Sequence, residues 1–557
     1  MSTSKVPGID QSGIVKKLLY LLLEVAFMIS VYIVLTGATH LLSPVILELF
    51  HNKPKIHRLF LSILTSSLLL VFGCLETSGR LDNRFILVRI AKKIRLSEIT
   101  WVGLIYVITS CVFAYSSYIR HHVFKSSFDF AIFSQAVWNT WHGHFLYSSI
   151  KGGICLLGDH ISPILALLAP LYGLWNDSAV LLLFQAVVSA SAIFPIYFIA
   201  KEVLSDRKLP IVFVICYALY LPVRNAVRFD FHPELLGEPM MLWAFYFILK
   251  NKLITTSIFL AAILTTKEIA CAPVAMIGLY CWWFRKNRLF GIAWFIIAMT
   301  VFLIDIKMVA PYFSGSDYFY LGNYSTWKET GLKAFLSYML QPSTFTYLKK
   351  IFLPLGFFSF FSPSTFLLTL PILTQNLSAA GPLSRSIFFQ YTTYLTSFVF
   401  ISAIYGFRNS TNWAFNLLKG SKHKIIKMEI YWLLSWSLLL TGVSEYHVIR
   451  EYQKQDNAHL EYIRQYLKTI PSSISVRTHE FFAPHSYNRK ELHIFENNHP
   501  REGGAEKALN SECVVLDRTL LGPSADDKIE SLIAAKYIVY HEHDGFYDFR
   551  RTQPSQK

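Results

Sequence analysis

Charge is scarce in this sequence. Asp, Glu, Lys and Arg together make up 16% of the 557 residues, against about 25% in an average soluble domain. So little charge over so long a chain excludes a cytosolic multidomain enzyme. A hydrophobic content of 53% excludes a disordered one. Cysteine is sparse as well: there are seven, none in a CxxC pair, which excludes a disulfide framework or a zinc ribbon. The sequence has no repeat of fixed period, no low-complexity tract and no zinc-finger or other nucleic-acid motif. Apolar and aromatic residues are abundant, with 45 Phe, 30 Tyr and 12 Trp, gathered into runs long enough to cross a bilayer.

The expected fold is therefore mainly α, a polytopic transmembrane helical bundle. Apolar runs lie at about 18–38, 59–76, 99–118, 178–200, 209–222, 235–249, 253–284, 289–311, 347–375, 388–405 and 428–443, which gives about 11–13 spans. The first run follows Lys16 and Lys17 and is read as a span, with no cleavable signal. Two runs are too long for one helix. Each is broken, at Lys267-Glu268 and at Ser362-Pro363, and is read as a hairpin of two short helices. The run 161–175 is short for a span and suits a re-entrant or interfacial helix.

The net charge of +16 belongs to topology and anionic lipid, not to nucleic acid. With the N-terminus placed in the cytoplasm, Lys and Arg are denser in the inner segments, such as 77–98 and 406–427, than in the outer ones, such as 119–157 and 312–350. The tail is different. From about Ser444 it is polar, with strand-like runs Ser473–Thr478, Cys513–Leu516 and Tyr537–Tyr540 and a helix-like stretch Asn457–Lys468. The expected organisation is two N-terminal spans with a basic loop (1–98), a multi-pass membrane domain (99–443) and a small extracytoplasmic α/β domain (444–557).

Ionisable residues at membrane depth are costly and mark sites by default. Four clusters fall on the same expected side. The first is 126–138, with helical spacing, which should lie as an amphipathic helix along the outer membrane surface. Asp129 in its first turn is either a charge that favours a helix N-terminus or a catalytic carboxylate. Gln135 and Trp138 are candidate substrate contacts on the same helix. In the second cluster Asp159 either caps the following helix or joins His160 in a cavity. The third, Arg224–Glu234, is the densest. Pro233 biases His232 to extended geometry, so Asp230 and His232 should share a face, and Glu234 and Glu238 fall four apart on the next helix. This is either a hydrogen-bonded loop neutralised by Arg224 and Arg228 or a site for a sugar or a divalent metal ion, with His232 and Glu234 as the candidate ligands. The fourth, Lys267-Glu268, is either a plain ion pair or a cation set against a lipid phosphate.

The motifs Phe-Asp-Phe-Ala-Ile-Phe-Ser-Gln-Ala-Val-Trp (128–138), Gly-Asp-His-Ile-Ser-Pro (158–163), Asp-Phe-His-Pro-Glu (230–234) and Thr-Lys-Glu (266–268) occur in that order. They are joined by Leu-Pro-Ile-Leu-Thr-Gln-Asn-Leu (370–377), Gln390-Tyr391 and Ile-Pro-Ser-Ser-Ile-Ser-Val-Arg-Thr-His (470–479). Together they resemble the bacterial predicted membrane proteins of the domain-of-unknown-function 2079 family, over roughly 100–520. More distantly, the layout is similar to the GT-C superfamily of lipid-linked-sugar glycosyltransferases. That resemblance implies a sugar transferred from a polyprenyl-phosphate donor at the outer face of the cytoplasmic (inner) membrane. Asp129 matches the first-loop acid of those enzymes and Asp230 the second-loop acids. Arg228 and Lys267 would face the phosphate, and membrane lipid would be the partner. The other classes are a transporter or flippase for a lipid-linked or small anionic solute, and a non-catalytic envelope assembly protein. Acids converging on one cavity favour the enzyme, and a polar track through the bilayer favours transport.

Overall fold

The computed structural model describes residues 97–551 apart from 207, 325–330, 332, 334–336, 380, 442–444 and 496–510. The expected spans 18–38 and 59–76, and most of the basic loop after them, lie outside the described residues.

The described chain is mainly helical. Helix α1 (Glu98–His122) starts at Ser97, whose hydroxyl accepts from the Thr100 amide, and ends on Arg120, His121 and His122. Ser97 is the cap and Arg120 the terminal cation that a helix dipole favours. Helix α2 (Phe128–Trp141) follows a short turn. The bundle continues through α3 (Ala179–Ala190), α4 (Ile193–Val203), α5 (Leu209–Leu219), α6 (Leu221–Phe229), α7 (Glu234–Leu249), α8 (Leu253–Leu264), α9 (Cys271–Trp283) and α10 (Arg288–Ile304). It closes with α11 (Leu370–Ser378), α12 (Thr393–Leu418) and α13 (Lys422–Thr441).

Three helical stretches among the described residues, Glu98–His122, Ala179–Val203 and Arg288–Ser314, are long and apolar enough to cross a membrane singly. A fourth crossing arises if α5 and α6, bent by 44° around Tyr220, count as one. Among the described residues, the runs 235–249 and 253–284 fold as the shorter helices α7, α8 and α9, while 388–405 and 428–443 lie mostly in α12 and α13, which are 26 and 20 residues long. The hairpin expected at 253–284 is present as α8 and α9 with a break at 265–267. The run 347–375 is not one hairpin but a string of short turns between helix Pro342–Phe352 and α11. Close packing explains that string. A Cβ added to Gly406 of α12 would sit 1.8 Å from the Phe358 carbonyl oxygen, so helix and turn touch backbone to backbone.

The tail carries helix α14 (Ala458–Thr469) and a five-stranded mixed sheet in the order β4-β3-β5-β7-β6. Its strands are β3 (Val476–Thr478), β4 (Leu492–Ile494), β5 (Cys513–Asp517), β6 (Tyr537–His543) and β7 (Phe546–Arg551). The hairpin β1–β2 (Tyr147–Ser148, Ile154–Cys155) lies in the loop after α2. Strand β3 pairs in parallel with β4 and β5, while β7 is antiparallel to both its neighbours.

The helix expected on the membrane surface is placed differently. Every residue of α2 from Phe130 to Asn139 is buried. One apolar core runs from Phe130, Phe133 and Val137 of α2 into Ile463, Val476, Phe482 and Phe546 of the tail. The second face of the sheet has its own small core of Val514, Leu516, Leu532 and Phe549. The α/β domain therefore sits on α2, and both faces of that helix are covered. Gln135, wholly buried, stitches the two together. Its Nε2 donates to Ser149 Oγ at 2.8 Å and to the carbonyls of Arg489 and Lys490 at 3.1 and 3.0 Å.

Candidate functional site

A cavity of about 510 Å³ opens where α2, the loop before 163, the start of α7, the α8–α9 break and α11 converge. Local chain geometry sets its charged wall. Extended backbone at Asp230 (φ −157°, ψ 174°) delivers His232, and Pro233 then starts α7 with Glu234 in its first turn. The α8–α9 break turns through extended Lys267 (φ −170°, ψ 153°). Of the residues singled out in the sequence, Asp129, Asp159, His160, His232, Glu234, Lys267 and Glu268 line this cavity.

They are held as neighbouring pairs. Lys267 Nζ donates to Glu234 Oε1 at 2.5 Å. Lys151 lies 3.1 Å from Asp159, whose Oδ1 also accepts from the Tyr320 hydroxyl at 3.2 Å. Glu268 faces His160 Nδ1 at 3.1 Å and accepts from the Ile161 amide at 3.0 Å and the Tyr318 hydroxyl at 2.5 Å. The His160 ring stacks on Tyr320, with centroids 4.4 Å apart. His232 is fixed between Phe229 and Phe133, and its amide donates to Gln185 at 2.7 Å.

Asp129 differs from the other acids. Its carboxylate is 38% exposed, opening onto the cavity, and its nearest ionisable partner is His232 Nε2 at 3.8 Å. Burial alone would raise its pKa. The imidazole of His232 and the ammonium groups of Lys151 and Lys267 outweigh that effect and hold the carboxyl below its ordinary value. Tyr318 and Tyr320 are pushed the other way, by burial and by the facing carboxylates, so they serve as hydroxyl donors.

Four sequence candidates are placed elsewhere. Asp230 is fully buried away from the cavity. It pairs with Arg120 at 2.7 Å and accepts from the amide and hydroxyl of Ser127, the residue before α2. The expectation that Asp230 and His232 share a face fails, because Arg120 and Ser127 draw the aspartate toward α1 and α2. Its carboxylate holds Ser127, the residue before the helix that carries Asp129. Gln135 holds the α/β domain, Trp138 stacks on His142, and Arg228 donates to Asn225 at 2.6 Å. For a metal, the described residues hold no group of three His, Cys, Asp or Glu placed to share an ion, and Glu234 is engaged by Lys267. The donor set does not fit a divalent ion.

Sequence reasoning missed Lys151, Tyr318, Tyr320 and a neutral wall of Thr374, Gln375, Ser378 and Gln390. The only signal for the last was the pair of motifs 370–377 and 390–391, which carry no ionisable acid or base apart from a tyrosine.

The fold is similar to that of ArnT from Cupriavidus metallidurans. The structure of that protein bound to undecaprenyl phosphate matches with a TM-score of 0.50 at 10% identity, over 81% of this chain and 98% of that chain. Its apo state gives 0.47 at 11% identity over the same shares. The mainly α, multi-helix bundle expected from the sequence is the observed fold. The chain belongs to the family described as predicted membrane protein (DUF2079), whose model matches residues 120–547. No curated protein matches the sequence.

Proposed function

We propose that this protein is a glycosyltransferase of the cytoplasmic membrane that moves a sugar from a polyprenyl-phosphate donor to an acceptor hydroxyl at the extracytoplasmic face. The observation that carries this reading is Asp129, an ionised carboxylate open to a cavity that also holds two ammonium groups and an apolar flank of Met299, Phe302 and Leu321. The fold shared with a protein solved with undecaprenyl phosphate supports the donor class.

In the proposed reaction Asp129 takes the proton of the acceptor hydroxyl as its oxygen attacks the anomeric carbon. The bond from that carbon to the phosphate oxygen breaks, and the electron pair leaves with the polyprenyl phosphate. Lys151 and Lys267 face the developing charge. Both are already fixed by Asp159 and Glu234, so little ordering remains when a phosphate arrives. Asp129, Asp159, Glu234 and Glu268 converge on one cavity, which favours the enzyme over a transporter. In this topology the α/β domain, packed on α2, lies on the same side as the cavity.

The test is a comparison of envelope glycans and polyprenyl-phosphate sugars in cells with and without the protein, alongside transfer assays on purified protein in lipid nanodiscs. Accumulated donor lipid and a lost glycan in its absence are expected. Unchanged pools in cells that normally express it refute the proposal.

A further inference from the structure

One stretch of the cavity wall has different chemistry. From 372 to 394 its lining residues include Thr374, Gln375, Ser378 and Gln390, and none there carries a formal charge. The turn that bears Gln390 is held firmly. Asn376 Nδ2 donates to the Tyr391 carbonyl and to the Tyr347 hydroxyl, each at 2.9 Å, and Thr393 Oγ1 donates to the Gln390 carbonyl at 2.6 Å. Yet the side-chain oxygen of Gln390 has no hydrogen-bond partner, although the residue is 8% exposed and lines the cavity. A buried amide oxygen left unpaired on a pinned turn calls for a partner from outside the chain. The group that satisfies it must be a donor.

We infer that Gln390, with Gln375, Thr374 and Ser378, forms a hydroxyl-recognition subsite for an uncharged polyhydroxylated ring, the sugar of the donor lipid. The inference rests on the glycosyl-transfer reading and adds the substrate class to it. Side-chain amides and hydroxyls each offer both a donor and an acceptor, which matches ring hydroxyls that do the same. A carboxylate set against residues 372–394 finds no cation among them, and Lys267, within electrostatic reach of Tyr391, is already paired with Glu234, so burying the carboxylate there is costly. A site built to hydrogen-bond a hydroxyl also rejects ligands that cannot supply one.

The experiment uses full-length protein in nanodiscs and three probes: undecaprenyl phosphate, undecaprenyl-phosphate glucose and undecaprenyl-phosphate glucuronic acid. Wild type should bind the glucosyl lipid about 10-fold more tightly than the glucuronosyl lipid. Gln390→Leu should weaken the glucosyl lipid about 10-fold, as expected for one hydrogen bond to a buried group, and shift undecaprenyl phosphate less than about twofold. Gln375→Ala, at a less buried position, should weaken the glucosyl lipid in the same sense if Gln390→Leu fails to fold. Equal binding of the two sugar lipids by wild type overturns the subsite, and so does an equal loss for all three probes in a folded variant. If undecaprenyl phosphate binds but the sugar lipids show no such pattern, the subsite falls and the phosphate site stands. If no probe binds, the subsite falls together with the proposed function.

Discussion

Replacing Asp129 by Asn separates a catalytic carboxylate from a structural one. The side chains are nearly isosteric, so packing around Phe130, Ile132 and Phe133 is kept. The structure bounds what stability is lost. Asp129 is more than a third exposed and its nearest ionisable partner stands at 3.8 Å, so the ion pair contributes at most about 1 kcal/mol. Its place in the first turn of α2 adds about 0.3–1 kcal/mol from the helix dipole. The melting temperature should therefore move by a few degrees at most. The rate should fall far more, by about 10²- to 10⁴-fold, because an amide cannot take the proton. The sign of the pH dependence follows from the depressed pKa. Charge on Asp129 stabilises the fold above its unfolded value and is lost only as the pH falls through the lower folded value. Transfer by the wild type should accordingly stay level from neutral pH downward and fail only below about pH 4, the ordinary aspartate range. The assay is transfer of radiolabelled sugar from undecaprenyl-phosphate sugar in nanodiscs, with melting followed in parallel. A folded Asp129→Asn protein that works within about threefold of wild type, far inside the general-base range, would refute the argument.

Other outcomes follow from the same geometry. Asp230→Ala leaves the part-buried Arg120 without its carboxylate and should cost about 3 kcal/mol, seen as poor expression and a large drop in melting temperature; normal melting with transfer lost would instead return Asp230 to the chemistry. Gln135→Leu strands the carbonyls of Arg489 and Lys490 and should destabilise the docking of the α/β domain by about 1–3 kcal/mol, detectable as faster proteolytic release of the tail. Gly406→Ala has no room beside the Phe358 carbonyl and should prevent stable folding, whereas an alanine variant with wild-type melting would refute the backbone contact of α12 with that turn. A periplasmic reporter fused at the C-terminus should be active, and a cytoplasmic signal there would reverse the topology.

The sequence by itself determined the membrane class and the helical fold, because the burial of long apolar runs is a local property of composition. It also located the α8–α9 break, the start of α7 at Pro233 and most strands of the tail, because proline geometry and strand periodicity act over a few residues. It picked out seven residues that line the cavity, since ionisable groups among apolar neighbours stand out wherever the chain takes them. What tertiary structure alone decided is direction and partnership. Asp230 and His232 are two residues apart in an extended stretch, yet one faces Arg120 and the other Asp129. Their partners lie about a hundred positions away, and no local pattern encodes them. The same holds for α2, whose polar face suggested a membrane surface until the α/β domain covered it through Gln135. The neutral wall was the least visible part. Uncharged amides cost little to leave in a sequence and become conspicuous only when folding buries one, as at Gln390, without a partner.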